Sequence, residues 1–173
     1  MNEKHLDAVV DFCFDRITRD QLLKIYPISS GDLKALIQHL LENALLEKDK
    51  DEVEAGVLLG HKLGFPQSCV APLNSLLTEN WHERHEDIAW ALQMLRHPSS
   101  VDALYHAALA DFDYLAYDEA HALAVKCCWA LGDINTAYAN KKLHDLSQSE
   151  SQIVAEAAKY QLDRDDRPPP SSS

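Results

Sequence analysis

Glycine is scarce in this sequence, with five residues among 173. A phosphate-binding loop needs several closely spaced glycines, and neither GxGxxG nor GxxxxGK[ST] occurs. Long apolar runs are missing too, since no stretch approaches the roughly eighteen residues of a membrane-spanning helix. We therefore expect neither a nucleotide-binding loop nor a transmembrane segment.

Cysteine is limited to four residues, and none of them forms a CxxC pair: Cys13, Cys69, Cys127 and Cys128. Free cysteine is among the most buried residue types, so we expect these side chains to be small core residues rather than redox or metal-binding groups. Residues 1–20 mix acidic and basic with apolar positions, unlike a signal or transit peptide. This pattern predicts a protein of the reducing cytoplasm.

Basic residues are outnumbered, with 16 Lys and Arg against 28 Asp and Glu, which gives a net charge of -12. Proteins that bind nucleic acid directly rely on basic surfaces, so we expect no nucleic-acid contact. We expect a positively charged protein as the partner rather than a nucleic acid. No GxSxG motif, paired-cysteine zinc site or nucleophile–base set occurs, and we predict no enzyme activity, no catalytic residue, no metal and no cofactor.

Most of the apolar residues in the sequence recur at the spacing of an α-helix. A chain of this length suits one domain, and steps of three and four predict amphipathic helices within residues 1–50. Thr18 is expected to cap the second of these helices, and Ser29 with Asp32 resembles a capping box before the third. Residues 47–52 are predicted to form a solvated joint.

A longer period begins near residue 51. Each unit is predicted to be a helix, a tight turn and a second helix; the units are Val57–Leu77, Ile88–Leu109 and Ala122–Leu143. The predicted turns contain Gly64 and Pro66, Pro98 and Ser99, and Gly132 and Asp133. The first helix of the third unit is expected to be longer by one turn. A last helix near Ser149–Leu162 would cap the stack, and residues 163–173 are expected to be disordered.

These units resemble HEAT-type repeats over residues 51–162. The run WHERHEDIAWALQMLRHPSSVDALYHAAL, followed by FDYLAYDEAHALAVKCCWALGDINTAYA, resembles a family of small bacterial HEAT-repeat proteins. The resemblance implies an all-α HEAT-like α-solenoid of about nine to ten helices, on which the N-terminal helices pack. Members of that family are immunity partners of secreted antibacterial toxins, including toxins of contact-dependent inhibition.

Negative charge is concentrated between Glu79 and Glu119, where nine acidic residues stand against Arg84 and Arg96. Aromatic residues lie among the acids on the predicted inter-repeat connections. Such a surface suits a cationic partner, although an acidic surface that only promotes solubility has the same composition. The candidate partner-binding residues are Trp81, His82, His85, Glu86, Asp87, Asp111, Asp113, Tyr114, Tyr117, Asp118 and Glu119.

His82, His85 and Glu86 would share one face if they lay on a single helix, which is an arrangement that can hold a divalent cation. The order HxxHE differs from the HExxH of zinc hydrolases, so we favour an interface role over metal binding. Trp90 and Trp129 lie at helical spacing in apolar stretches and are predicted to be core residues.

The functional hypothesis is an immunity protein that binds one cognate toxin, expected to be a basic nuclease, in a 1:1 complex. Its acidic, aromatic surface would cover the toxin active site. One alternative is a general HEAT-repeat scaffold that binds a helix or peptide, with the acids serving only solubility. A third is a small enzyme similar to bilin lyases, which the sequence supports less.

Overall fold

The computed structural model describes residues 3–26, 32–115 and 121–169. This part of the chain is 74% helix and contains no strand, which confirms the predicted all-α class. None of its helices is both long and apolar enough to cross a membrane. The chain divides into two compact units. One comprises the described residues up to Leu73 together with Trp81–Arg84, and the other comprises Asn74–Asn80 and the described residues from His85 onward.

The first unit is built around four helices: α1 (Glu3–Cys13), α2 (Arg19–Ile25), α3 (Leu33–Glu47) and α4 (Lys50–Leu63). α4 packs against both α1 and α3. The core of this unit includes Leu36, Leu40 and Leu41 of α3 with Val53 and Val57 of α4, all nearly or fully buried. A short 3₁₀ turn at Gln67–Cys69 packs on α3.

The helix starts in this unit follow their capping residues. The predicted capping role of Thr18 is confirmed. Its hydroxyl accepts a hydrogen bond from the backbone N–H of Gln21, and the Gln21 side chain accepts one from the backbone N–H of Thr18. The predicted capping box of Ser29 with Asp32 is wrong, since Asp32 is itself the cap and accepts from the Lys34 amide. Ser29 lies outside the described residues. A cap of this kind contributes about 1 kcal/mol.

The joint predicted at residues 47–52 is shorter than expected. α3 ends at Glu47, and Lys48 adopts the left-handed conformation that terminates a helix. Asp49 then accepts hydrogen bonds from the amides of Asp51 and Glu52, so α4 begins within the predicted joint, at Lys50.

The second unit is organised around one central helix. Its helices are α6 (His85–Leu95), α7 (Val101–Ala108), α8 (Ala122–Ile134), α9 (Ala137–Leu146) and α10 (Gln152–Asp163). α8 packs against all four others, and its buried residues include Leu123, Cys127, Cys128 and Leu131. α5 (Val70–Leu76) precedes these helices, and its last residues from Asn74 onward belong to this unit.

The turn predicted at Gly132 and Asp133 is wrong. α8 continues through both residues to Ile134, and the turn is made by Asn135 in a left-handed conformation and by Thr136, which caps α9. Gly132 is explained by packing instead, because a Cβ atom there would collide with the side chain of Gln161 on α10.

The expected extra turn in the first helix of the third unit is also wrong. α8 has 13 residues, two more than α6 and one fewer than α4, so it is not a full turn longer than either. The added length lies in the connection, because more residues separate Ala108 from Ala122 than separate Leu76 from His85. The arrangement of these helices as stacked hairpins of a HEAT-like solenoid stays a prediction.

Beyond α10, Arg164 and Pro168 contact α8 and the turn after it, and the disorder expected for residues 163–173 stays a prediction. Arg164 forms an ion pair with Asp133, and its guanidinium lies 4.9 Å from the centre of the Trp129 ring. Farther along, the Asn135 amide donates to the carbonyl oxygen of Pro168 at 2.9 Å. Trp129 is therefore half-buried beneath this segment rather than in the core, and Trp90 is also only half-buried.

Candidate functional site: an acidic cleft in the second unit

His85 begins α6 and is fully buried. Its Nε2 atom lies 2.6 Å from the carbonyl oxygen of Glu79, and its Nδ1 atom lies 2.9 Å from the hydroxyl of Tyr114. The imidazole also packs on the Phe112 ring, with 3.8 Å between ring centres. The two predicted inter-repeat connections, one containing Glu79 and the other containing Phe112 and Tyr114, thus meet at one side chain.

The partners of His85 determine where its protons lie. A carbonyl oxygen can only accept, so Nε2 carries a hydrogen and donates to Glu79. In the neutral ring, Nδ1 then accepts from the Tyr114 hydroxyl. Both ring nitrogens are used, as a buried polar group requires. His85 therefore holds the segment around Phe112 and Tyr114 through one hydrogen bond and one ring contact.

The segment that His85 holds forms one wall of a cleft of about 680 Å³. The other described walls come from the end of α7, the first turn of α8, and the start of α10. Its lining is apolar at Ala107, Ala108, Phe112, Leu123, Ala124 and Val154, all of which are buried. Its polar lining residues are Asp111, Asp113, His121, Ser149, Glu150 and Ser151. The cleft therefore joins apolar walls to carboxylates.

Two of the predicted partner-binding acids line this cleft. Asp111 and Asp113 are both exposed, and Phe112 between them is buried. Tyr114 is 36% exposed while its hydroxyl bonds His85. Phe112 is therefore a buried anchor between two exposed carboxylates.

Other predicted site residues lie elsewhere. Glu86 and Asp87 are half-buried in the first turn of α6, and Glu86 forms an ion pair with Lys126 of α8 at 2.8 Å. Trp81 and His82 belong to the first unit, where their rings are 5.1 Å apart. The remaining candidates lie outside the described residues: Tyr117, Asp118 and Glu119.

The helical face proposed for His82, His85 and Glu86 does not exist. α6 begins only at His85, and His82 lies in the preceding turn, where its Nδ1 atom accepts from the Arg84 amide at 3.1 Å. His82 is buried, as His85 is, so neither ring is exposed in this structure. Among the described residues there is no group of three potential metal ligands.

Arg84 ties this preceding turn to the first unit through an ion pair with Glu54 of α4 at 2.5 Å. One of the two basic residues in the acidic segment is therefore already engaged by a carboxylate. The negative charge of residues 79–119 is partly offset at Glu86 by Lys126, but Asp111 and Asp113 are exposed beside the cleft.

Glu150 and His121 also line the cleft and were not among the predicted site residues. The sequence pattern placed Glu150 on the polar face of a capping helix, and it gave His121 no particular role. His121 adopts a left-handed conformation, with φ of 49°, immediately before α8. This position is uncommon for a residue other than glycine. Nothing in the sequence linked these residues to Asp111, because their proximity depends on how α10 packs on α8.

None of the four cysteines is among the described lining residues of the cleft. Burial raises the pKa of Cys69 and of Cys128 to about 12, and burial raises the pKa of Cys127 still further. Cys13 is half-buried, and desolvation raises the pKa of its thiol as well. These four cysteines are unpaired, and the three buried ones are core residues, as the sequence predicts.

The cleft thus combines three carboxylates, one histidine and two serines with an apolar hollow. No family model, curated protein or solved structure matches this chain.

Proposed function

We propose that this protein is an immunity protein that neutralises a cognate basic toxin by binding it through the acidic cleft of the second unit. The observation that carries the proposal is the placement of Asp111 and Asp113, which lie exposed at the cleft together with Glu150. A hollow with apolar walls and carboxylates suits a protein partner that presents cationic side chains.

The net negative charge of the protein also supports a basic toxin as the partner. The net charge of -12 favours electrostatically steered association with a basic protein, and nucleases carry basic active sites because they bind phosphates. Carboxylates placed against such a site would occupy the positions of the substrate phosphates. The toxin would be blocked without any chemistry on the part of the inhibitor.

The proposed architecture is a HEAT-like stack of helical hairpins. Short connections join α4 to α5, α6 to α7 and α8 to α9, and the packing of α8 on α9 supports a hairpin for the third pair. Repeat proteins of this class commonly present binding surfaces built from neighbouring repeats.

The test is inhibition by stoichiometric complex formation. The genes next to the gene for this protein would first be searched for one that encodes a toxin domain. That domain would be purified, and its nuclease activity would be titrated with the protein. We expect activity to fall linearly and to reach zero at a 1:1 ratio, with a matching calorimetric end point. Full nuclease activity in excess inhibitor, with no heat of binding, would contradict the proposal.

A further inference from the structure

The cleft is hollow because small side chains line it where three helices meet. Ala107 and Ala108 end α7, Ala124 lies in the first turn of α8, and both α7 and α10 pack on α8. These alanines are buried, and Leu109 and Ala110 beside them provide exposed apolar surface in the lining. The walls can therefore cover the aliphatic part of a side chain from outside.

The size of the hollow limits its occupant. A volume of about 680 Å³ lies within the range of sites that enclose a drug-sized ligand. It has room for a short segment with a few side chains, but not for a folded domain. An occupant supplied by a protein partner would be a projecting loop or terminus.

The charge of the lining limits the occupant further. Asp111, Asp113 and Glu150 are all exposed, and no Lys or Arg occurs among the described lining residues. An anionic segment would be repelled, and a purely apolar one would desolvate the carboxylates without pairing them. A side chain with an aliphatic stem and a cationic head satisfies both parts of the lining.

Arginine fits these requirements better than lysine. Its guanidinium is planar, is less strongly hydrated than an ammonium group, and can donate two parallel hydrogen bonds to one carboxylate. We infer that the cleft is the receptor for an arginine-bearing loop of the partner. The stem would lie on the alanine-lined wall, and the guanidinium would pair with the carboxylates of the lining. This inference rests on the proposed function, which it narrows to one kind of contact.

The test uses a peptide and does not need the toxin. The probe is Ac-Ala-Arg-Leu-Arg-Ala-NH2, and its control replaces both arginines with citrulline, which has nearly the same shape without the charge. Titration of the isotope-labelled full chain would be followed by amide chemical shifts. We expect saturable shifts at residues 107–115, 121–124 and 149–154, with affinity at least about tenfold higher for arginine than for citrulline.

Three variants sharpen the test. Ala110 is an exposed residue of the lining, so Ala110→Trp should obstruct the cleft, while Ala137→Trp adds the same side chain at an exposed position of α9. Ala110→Trp should abolish the chemical-shift changes caused by the peptide, and Ala137→Trp should leave them unchanged. Neutralising the lining with Asp111→Asn, Asp113→Asn and Glu150→Gln should make the two peptides bind equally.

Three results would overturn the inference: equal affinity of the unaltered protein for both peptides, shifts confined to residues outside the lining, or no saturable shift at millimolar peptide. A toxin that is still inhibited 1:1 would then leave the immunity proposal standing with a different contact surface. Peptide binding at the cleft without toxin inhibition would instead refute the proposed function and keep the cleft as a receptor for arginine.

Discussion

The imidazole of His85 lies against the ring of Phe112, with 3.8 Å between their centres, and its two nitrogens bond Tyr114 and the carbonyl oxygen of Glu79. The first residue of α6 thus supports a wall of the acidic cleft. The side chain that organises the site is buried, whereas the carboxylates it positions are exposed.

Replacing His85 should destabilise the protein. His85→Ala removes a buried ring and leaves the Glu79 carbonyl without this donor, so the free energy of unfolding should fall by about 2–4 kcal/mol. Tyr114→Phe removes one hydrogen bond and should cost only about 1 kcal/mol. Urea denaturation measures both changes. The exposed His144 provides the control, since His144→Ala should change stability by less than about 0.5 kcal/mol. Equal effects of His85→Ala and His144→Ala would contradict the role of His85.

The ion pair of Asp133 with Arg164 should stabilise the segment that follows α10. The Arg164 side chain is only 7% exposed, and Asp133 also accepts from the Gln93 amide at 2.7 Å. Asp133→Asn removes the partly buried counter-charge of a nearly buried guanidinium and leaves only its exposed partner Asp166, so unfolding should become easier by about 2–3 kcal/mol.

The exposed pair of Asp11 with Arg16 is the matched control, and Asp11→Asn should cost about 0.5 kcal/mol or less. Thermal and urea denaturation of the two variants would be compared. If both substitutions had the same small effect, Asp133 would not anchor this segment.

How much of this fold follows from the sequence depends on the range of the contacts. Apolar spacing and the Thr18 cap are local signals, and they predict the helices and one helix start correctly. The turn at Gly132 was misplaced because glycine usually ends a helix, whereas here its missing side chain makes room for Gln161. Local chemistry cannot distinguish those two uses of glycine.

The candidate site was predictable only in part for the same reason. Asp111 and Asp113 were found from charge and aromatic composition, which are visible along the chain. Glu150 and His121 were missed because the packing of α10 and α7 on α8 brings them to the same cleft. His82, His85 and Glu86 were expected to share a face if they lay on a single helix, but α6 begins at His85 and both histidine rings are buried.

Gln161 should stabilise the folded protein less than an apolar residue at the same position would. It is fully buried on α10, and neither its amide oxygen nor its nitrogen has a hydrogen-bond partner. Gln161→Leu removes these unsatisfied groups and should raise the free energy of unfolding by about 1–2 kcal/mol. The exposed Gln148→Leu is the control and should change it by less than about 0.5 kcal/mol. A loss of stability in Gln161→Leu would show that the amide is satisfied in solution.

The cysteines should differ sharply in reactivity. Cys69, Cys127 and Cys128 are buried with raised pKa values, so they present neither access nor thiolate at pH 8. A disulfide reagent should modify about one thiol per native chain, and Cys13→Ser should remove that reaction. All four thiols should react in denaturant. Rapid modification of three or four thiols in the native protein would contradict the described core.

Electrostatic pairing should make toxin binding depend on salt. Exposed carboxylates attract a basic partner through water, and this attraction is screened as ionic strength rises. The association rate should therefore fall steeply between low and physiological salt, as stopped-flow measurements would record. An association rate that is independent of salt would favour binding through apolar contacts alone.

The most direct measurement of the central claim is the affinity for the toxin domain in two charge-matched triple variants. The first carries Asp111→Asn, Asp113→Asn and Glu150→Gln at the cleft. The second carries Asp145→Asn, Glu156→Gln and Asp163→Asn, which are exposed residues of the same unit outside the described cleft lining. Calorimetry should show at least about a hundredfold loss of affinity for the first variant, because charges paired at an interface contribute several kcal/mol, and less than about a threefold loss for the second. Equal affinities of the two variants would contradict the assignment of toxin binding to the acidic cleft.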